Sequence, residues 1–95
     1  MIISLIKQPS ESRLYSLDFA ALLEEDEVLT AANSVAIDKT TASPLVAGTP
    51  AVSGVIAQVR LTGGLAGTIY KVTIVVTTSD GNTLEGEAYV NVEDI

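Results

Sequence analysis

Thr68-Ile69-Tyr70-Lys71-Val72-Thr73-Ile74-Val75-Val76-Thr77-Thr78-Ser79-Asp80-Gly81-Asn82-Thr83-Leu84-Glu85-Gly86-Glu87-Ala88-Tyr89-Val90-Asn91-Val92 decides the fold. Successive side chains on a strand point to opposite faces. In the first run Tyr70, Val72, Ile74 and Val76 share a face, and Lys71, Thr73 and Thr77 lie opposite, with Val75 the strong apolar exception. In the second run Leu84, Gly86, Ala88, Val90 and Val92 share a face against Glu85, Glu87, Tyr89, Asn91 and Glu93. Two alternating runs around Asp80-Gly81-Asn82 read as a hairpin. A slip of one residue would send every side chain to the wrong face. A two-residue Asp80-Gly81 loop sets Val76 against Glu85 and Ile74 against Glu87, which mixes core with solvent. A three-residue loop, Asp80-Gly81-Asn82, pairs Ser79 with Thr83 and aligns Val76 with Gly86, Ile74 with Ala88 and Val72 with Val90. Asn82 then takes the left-handed last position. The second register is predicted, and a longer loop of the same parity meets the same condition.

Upstream, Val52 to Leu61 reads as a third strand ended by Gly63-Gly64, with Val55, Ala57, Val59 and Leu61 inward and Ser53, Gln58 and Arg60 largely outward. Glu27 to Ile37 and Leu14 to Phe19 are weaker strand patterns. Between them, Asp18 supplies an N-cap for one or two helical turns over 18–24. Residues 38–50, with Pro44, Gly48 and Pro50, read as a loop or edge strand. Neither an internal repeat nor a linker interrupts the chain, so one domain over 1–95 is expected. Six or seven short strands separated by turns predict an all-β fold, an antiparallel β-sandwich. Tyr70 follows the glycine-rich corner Gly63-Gly64-Leu65-Ala66-Gly67 at the head of a long strand. Immunoglobulin-like sandwiches place there a tyrosine whose hydroxyl bonds back to upstream backbone, so Tyr70 predicts that variant of the fold.

The chain has 95 residues, with 12 Asp and Glu against 5 Lys and Arg, a formal charge of -7, and no histidine, cysteine or tryptophan. Disulfides, thiolate nucleophiles, Cys-ligated metals and a histidine base are therefore excluded. Lys7, Arg13, Lys39, Arg60 and Lys71 form no basic run, and the net charge repels nucleic acid and anionic membranes alike. A run of about 18 apolar residues, which a membrane span needs, is absent. Met1 to Ile6 is too short for a signal-peptide core. Synthesis in a cytoplasm without Sec export is the expectation.

The motifs that resemble chemistry read better as structure. Glu24-Glu25-Asp26-Glu27 lacks the alternating ligands and glycine of a calcium loop, and is expected as a solvated turn. Asp80-Gly81-Asn82 begins like such a loop, but Leu84 stands where the next oxygen belongs. Ser4 and Lys7 match Ser-x-x-Lys, whose two side chains share a face only on a helix, whereas this segment reads as extended. Gly63 to Gly67 lacks the Lys-Ser/Thr of a phosphate cradle. No cofactor, metal, small-molecule substrate or enzymatic activity is expected. Tyr89 alone among the aromatics looks outward.

Leu61-Thr62-Gly63-Gly64-Leu65-Ala66-Gly67-Thr68-Ile69-Tyr70-Lys71-Val72-Thr73, continuing through Val76 to Thr83, resembles the carboxy-terminal half of small tailed-phage and prophage virion proteins. These are commonly described as phage fibre or virion structural proteins with one immunoglobulin-like domain. Lys7-Gln8-Pro9-Ser10-Glu11 and Tyr15-Ser16-Leu17-Asp18-Phe19 are similar to that family's opening. The family usually carries tryptophan where Phe19 stands and another near Val35, and a polar or basic residue near Val75. The resemblance implies a non-catalytic virion component, of the fibre, the decoration or the head-to-tail connection, made in the host cytoplasm, whose partners are other virion proteins and copies of itself. Ile2, Ile3, Leu5, Val75 and Tyr89 are the expected partner contacts, and Tyr70, Asp80, Gly81 and Asn82 the structural positions. Ile2 to Ile6 either adds to a neighbour's sheet edge or forms the first strand of its own sandwich. A bacterial surface adhesin or carbohydrate-binding module is the alternative reading, and a small cytoplasmic enzyme the third.

Overall fold

The computed structural model describes residues 2–38 and 45–94. In chain order its strands are β1 (Ile2–Lys7), β2 (Ser12–Asp18), β3 (Leu29–Asp38), β4 (Leu45–Ala47), β5 (Ala51–Ser53), β6 (Ile56–Gly63), β7 (Thr68–Thr78) and β8 (Thr83–Val92). One sheet runs β1-β8-β7-β3; the other runs β2-β6-β4, with β5 also on β6. The protein is an all-β sandwich. Among the described residues eight strands form where six or seven were expected, because β4 and β5 are three-residue strands too short to alternate legibly. Among the described residues every pairing is antiparallel except β1 with β8. That parallel pair departs from the purely antiparallel expectation. The short link from Lys7 to Ser12 requires β1 to stop where β2 starts, which is the end at which β8 also stops.

The faces of the hairpin are as the alternation predicts: Tyr70, Val72, Ile74 and Val76 are buried, as are Ala88, Val90 and Val92. Its register differs by two residues from the predicted one. Val76 lies opposite Leu84, Ile74 opposite Gly86, Val72 opposite Ala88 and Tyr70 opposite Val90. The loop is Ser79-Asp80-Gly81, closed by Gly81 N–H to Thr78 C=O at 3.0 Å and Thr78 N–H to Asn82 C=O at 2.9 Å. Gly81, at φ 82, occupies the left-handed position that was assigned to Asn82. Glycine takes it without the steric cost of a Cβ, and that preference selects between two registers of equal parity. Ile74 thereby faces Gly86, where a Cβ would stand 2.6 Å from Cζ of Phe19. The Phe19 ring fills that space, fully buried.

The expected strand from Val52 to Leu61 is two strands. Ser53 pairs with Ile56 across Gly54-Val55, and Gly54 at φ 61 is the first central residue of the turn, where a two-residue hairpin of type II′ needs glycine. Ala57, Val59 and Leu61 are buried as predicted. Residues 38–50, expected as a loop or edge strand, hold β4 at the edge of the second sheet and the approach to β5, and 39–44 lie outside the described residues. The turn after β2 is a 3-10 helix, Ala20–Leu22, entered with Ala20 N–H donating to Asp18 Oδ1 at 2.9 Å.

Candidate functional site

Two charged side chains are buried at opposite ends of the sandwich. Lys7 ends β1 with its side chain fully covered, and its Nζ donates to Gln8 C=O at 2.7 Å and Gly63 C=O at 2.6 Å. Because Gly63 closes β6, this ammonium ties the two sheets together. Burial holds its pKa below the usual lysine range, with Glu11 opposing the shift. Ser4 is exposed while Lys7 is buried, so the Ser-x-x-Lys pair is divided between two faces. Beside it, Tyr15 Oη donates to Ile6 C=O at 3.1 Å, and Leu65 N–H donates to Tyr70 Oη at 2.9 Å. The second bond joins the Tyr70 hydroxyl to backbone upstream of it. Burial raises the Tyr15 pKa, with Arg13 lowering it and Glu11 raising it further. The Arg13 guanidinium carbon lies 5.8 Å from the Tyr15 ring centroid.

At the other end, Glu27 departs from the expected solvated turn. Glu24, Glu25 and Asp26 are exposed, but Glu27 is buried. Its Oε2 accepts from the Thr78 hydroxyl and from Asn82 Nδ2 at 2.9 Å, and its Oε1 accepts from Glu24 N–H at 2.8 Å. Asp26 turns the chain at φ 66, bringing Glu27 N–H to Glu24 C=O at 3.1 Å. Hydrogen bonds from Thr78, then Glu24 and Asn82, hold the carboxyl below its ordinary pKa, against a smaller effect of burial. The residue clamps the base of the β7–β8 turn. Asn82, expected as a turn residue, is one of its donors, and Asp80 and Gly81 lie in the loop beyond. The signal for Glu27 was present in the sequence: it precedes buried Leu29 by two positions and so falls on the inward face.

The expected partner contacts do not converge as a set. The register puts Ile2 opposite Glu87, Ile3 opposite Ala88 and Leu5 opposite Val90, and Leu5 packs half-buried against the core. Val75 stays half-buried opposite Glu85, well up the sheet from Tyr89, which pairs with Ser4 on one side and Lys71 on the other. What Tyr89 does share its neighbourhood with is Ile6 and Ile69, both placed opposite Asn91 on the outer face. Ile6 is 56% and Ile69 64% exposed, between the carboxylates of Glu87 and Glu93, the latter accepting from Asn91 Nδ2 at 2.7 Å. Ile69 was not singled out, although the alternation that exposes Lys71 and Thr73 also turns Ile69 outward. Glu87 is ion-paired to Lys71 at 3.4 Å. Among the described residues, no group of three or more acidic side chains could hold a metal ion.

Fold and site thus define a structural β-sandwich, in which the buried charges are bonded to neighbouring main-chain and side-chain groups and an apolar patch lies on one outer face. The sequence profile of the family described as Gp77, podophage GP4 fiber-tail adaptor protein gp77, matches residues 7–91, and the chain belongs to that family. It is a phage tail-related structural protein, where the resemblance of residues 61–83 had implied a virion structural protein without placing it in the tail. No curated protein matches the chain.

Proposed function

We propose that the chain is a non-catalytic adaptor of a phage tail, a single immunoglobulin-like sandwich that joins other virion proteins through protein contacts and is made in the host cytoplasm. The observation that carries this reading is the outer face of the β1-β8-β7-β3 sheet, where Ile6, Ile69 and Tyr89 stand exposed around Asn91. Large apolar side chains grouped among carboxylates, with aromatic content, have the make-up of an interface core with a polar rim. Family membership supports the tail setting, and the description of its namesake as a fiber-tail adaptor supports the joining role. The immunoglobulin-like variant is supported by the bond between Leu65 N–H and the Tyr70 hydroxyl and by the two-sheet strand order.

Mass spectrometry of purified particles tests the reading. The wild-type chain should be found in the particle, and Ile69→Glu or Tyr89→Ser should lower its incorporation roughly tenfold, since an interface aromatic commonly contributes more than 1 kcal/mol. Full incorporation of folded variants at both positions would overturn this face as the contact surface. Absence of the wild-type chain from particles would overturn the adaptor role.

A further inference from the structure

A sheet edge is where another chain can add a strand. The β1-β8-β7-β3 sheet has two edges, β1 and β3, and they are built differently. The pairing of β3 shifts register between Leu29 and Ala31 and again between Ala32 and Ser34. Such bulges bend an edge strand and spoil it as a template. In contrast, β1 keeps one register with β8 from Ile2 to Lys7. Its Ile2-Ile3-Ser4-Leu5-Ile6 holds no charge and no proline, the other devices that blunt an edge.

The orientation of its main chain follows from one bond. Glu93 N–H donates to Lys7 C=O at 2.9 Å, so in this parallel ladder the odd-numbered residues of β1 turn toward β8. Ser4 and Ile6 therefore turn their peptide groups to the open side. The Tyr15 hydroxyl reaches Ile6 C=O from that side. Ser4 N–H, Ser4 C=O and Ile6 N–H have no partner among the described residues.

We infer that a second copy of this chain adds to β1, antiparallel, about a two-fold axis at Ser4. On that axis Ser4 meets Ser4 of the other copy and exchanges both outward hydrogen bonds with it. Ile2 then meets Ile6, and Ile3 meets Leu5. Every pair is apolar or small, and the open groups of Ser4 and Ile6 are all used. Two four-stranded sheets become one of eight strands. A two-fold contact of this kind closes on itself and does not extend into a fibre. Each copy carries -7, yet the carboxylate opposite Ile2 is Glu87, already paired with Lys71. The seam itself is neutral, and the remaining repulsion is long-range and screened over about 8–10 Å in ordinary salt. A seam of six-residue strands is smaller than the roughly 1,200 Å² of standard stable interfaces, so the dimer forms at high protein concentration. The inference is independent of the adaptor reading, which a monomeric result would leave in place.

Size-exclusion chromatography with light scattering on the full chain, up to roughly 1 mM, tests it. The mass should rise from 9.9 kDa toward twice that value as concentration increases, and further at higher salt. Ser4→Pro deletes the outward N–H without touching the ladder to β8, and Ile6→Lys places a charge on the edge. Both should stay at 9.9 kDa with wild-type circular dichroism and melting. If Ser4→Pro fails to fold, Ile6→Lys is read beside Ile69→Glu: a dimer on the β1 edge is lost only in the first, and loss in both would overturn the inference in favour of the outer face. A wild-type mass fixed at 9.9 kDa throughout, or folded edge variants that still double in mass, would overturn the inference.

Discussion

Where β1 stops, a buried ammonium donates to two carbonyls, one in the link just after β1 and one at the end of β6 in the other sheet; where β7 turns into β8, a buried carboxylate accepts from a hydroxyl, an amide and a backbone N–H. Each end of the sandwich has polar groups outside the strand ladders, main-chain carbonyls at one and a main-chain N–H with two side-chain donors at the other, and each uses one charge of the appropriate sign to satisfy them. The Lys7 end is left with carbonyls, at Gln8 and Gly63, and needs a donor. The Glu27 end is left with donors, at Glu24, Thr78 and Asn82, and needs an acceptor. A chain of this size buries too little surface to leave such groups unmet. The lesson is that in a small sandwich a buried charge can belong to the closure of an end and need not mark a site of chemistry.

The strongest way to break the comparison is to empty the Glu27 end of its apolar support. Phe19→Ala removes a fully buried ring from above Gly86 and should cost about 3–5 kcal/mol, read as a drop in the urea midpoint. Lys7→Met keeps the aliphatic volume but strands the Gln8 and Gly63 carbonyls, for a loss of about 1–3 kcal/mol. An unchanged urea midpoint would show that the ammonium does not tie the sheets together. Tyr70→Phe tests the same end more gently: the bond from Leu65 N–H is lost, for about 1 kcal/mol, with the ring still buried.

The smallest effect sharpens the contrast because the two ends respond to pH in different windows, one acidic and one alkaline. Glu27 has a lowered pKa in the folded chain, so its contribution is fully present above the unfolded value, near pH 4.3 as a rough reference, and is lost as pH falls through the folded value. Glu27→Gln should be less stable than wild type at neutral pH and converge with it in acid, as followed by thermal melts across that range. Parallel curves would remove the carboxylate from the closure. Lys7 also has a lowered pKa, and the sign is the same in an alkaline window: between the folded and unfolded values the unfolded chain binds more protons, so stability rises with pH there. Lys7→Met should lose that alkaline gain.

Much of this was legible in the sequence, for definite reasons. The β7–β8 faces could be read because period-two alternation over ten or more residues leaves one parity free of conflict. Parity is all that alternation determines, however, and the choice between registers two residues apart rested on which residue takes φ > 0, a contest that Gly81 wins over Asn82. Val52 to Leu61 looked continuous because the alternation is regular from Val55 onward; the two-residue Gly54-Val55 turn reverses the parity, setting Val52 opposite Ala57, and an outward Ser53 two positions before an inward Val55 was its one trace. Glu27 was hidden by its neighbours: three exposed acids beside it gave the whole run the composition of a solvated turn. For the candidate contact face, Tyr89 was visible as an outward aromatic. Its association with Ile6 depends on β1 lying parallel against β8, and that pairing is non-local.

The same parallel pairing has a mechanical meaning. Six register pairs join the first and last strands of the sandwich, and both strands point the same way. Tension pulling residue 2 away from residue 92 runs along the seam between them, so its bonds are loaded together in shear and are not peeled apart one after another. A component pulled from both directions would resist by sharing the load across that seam.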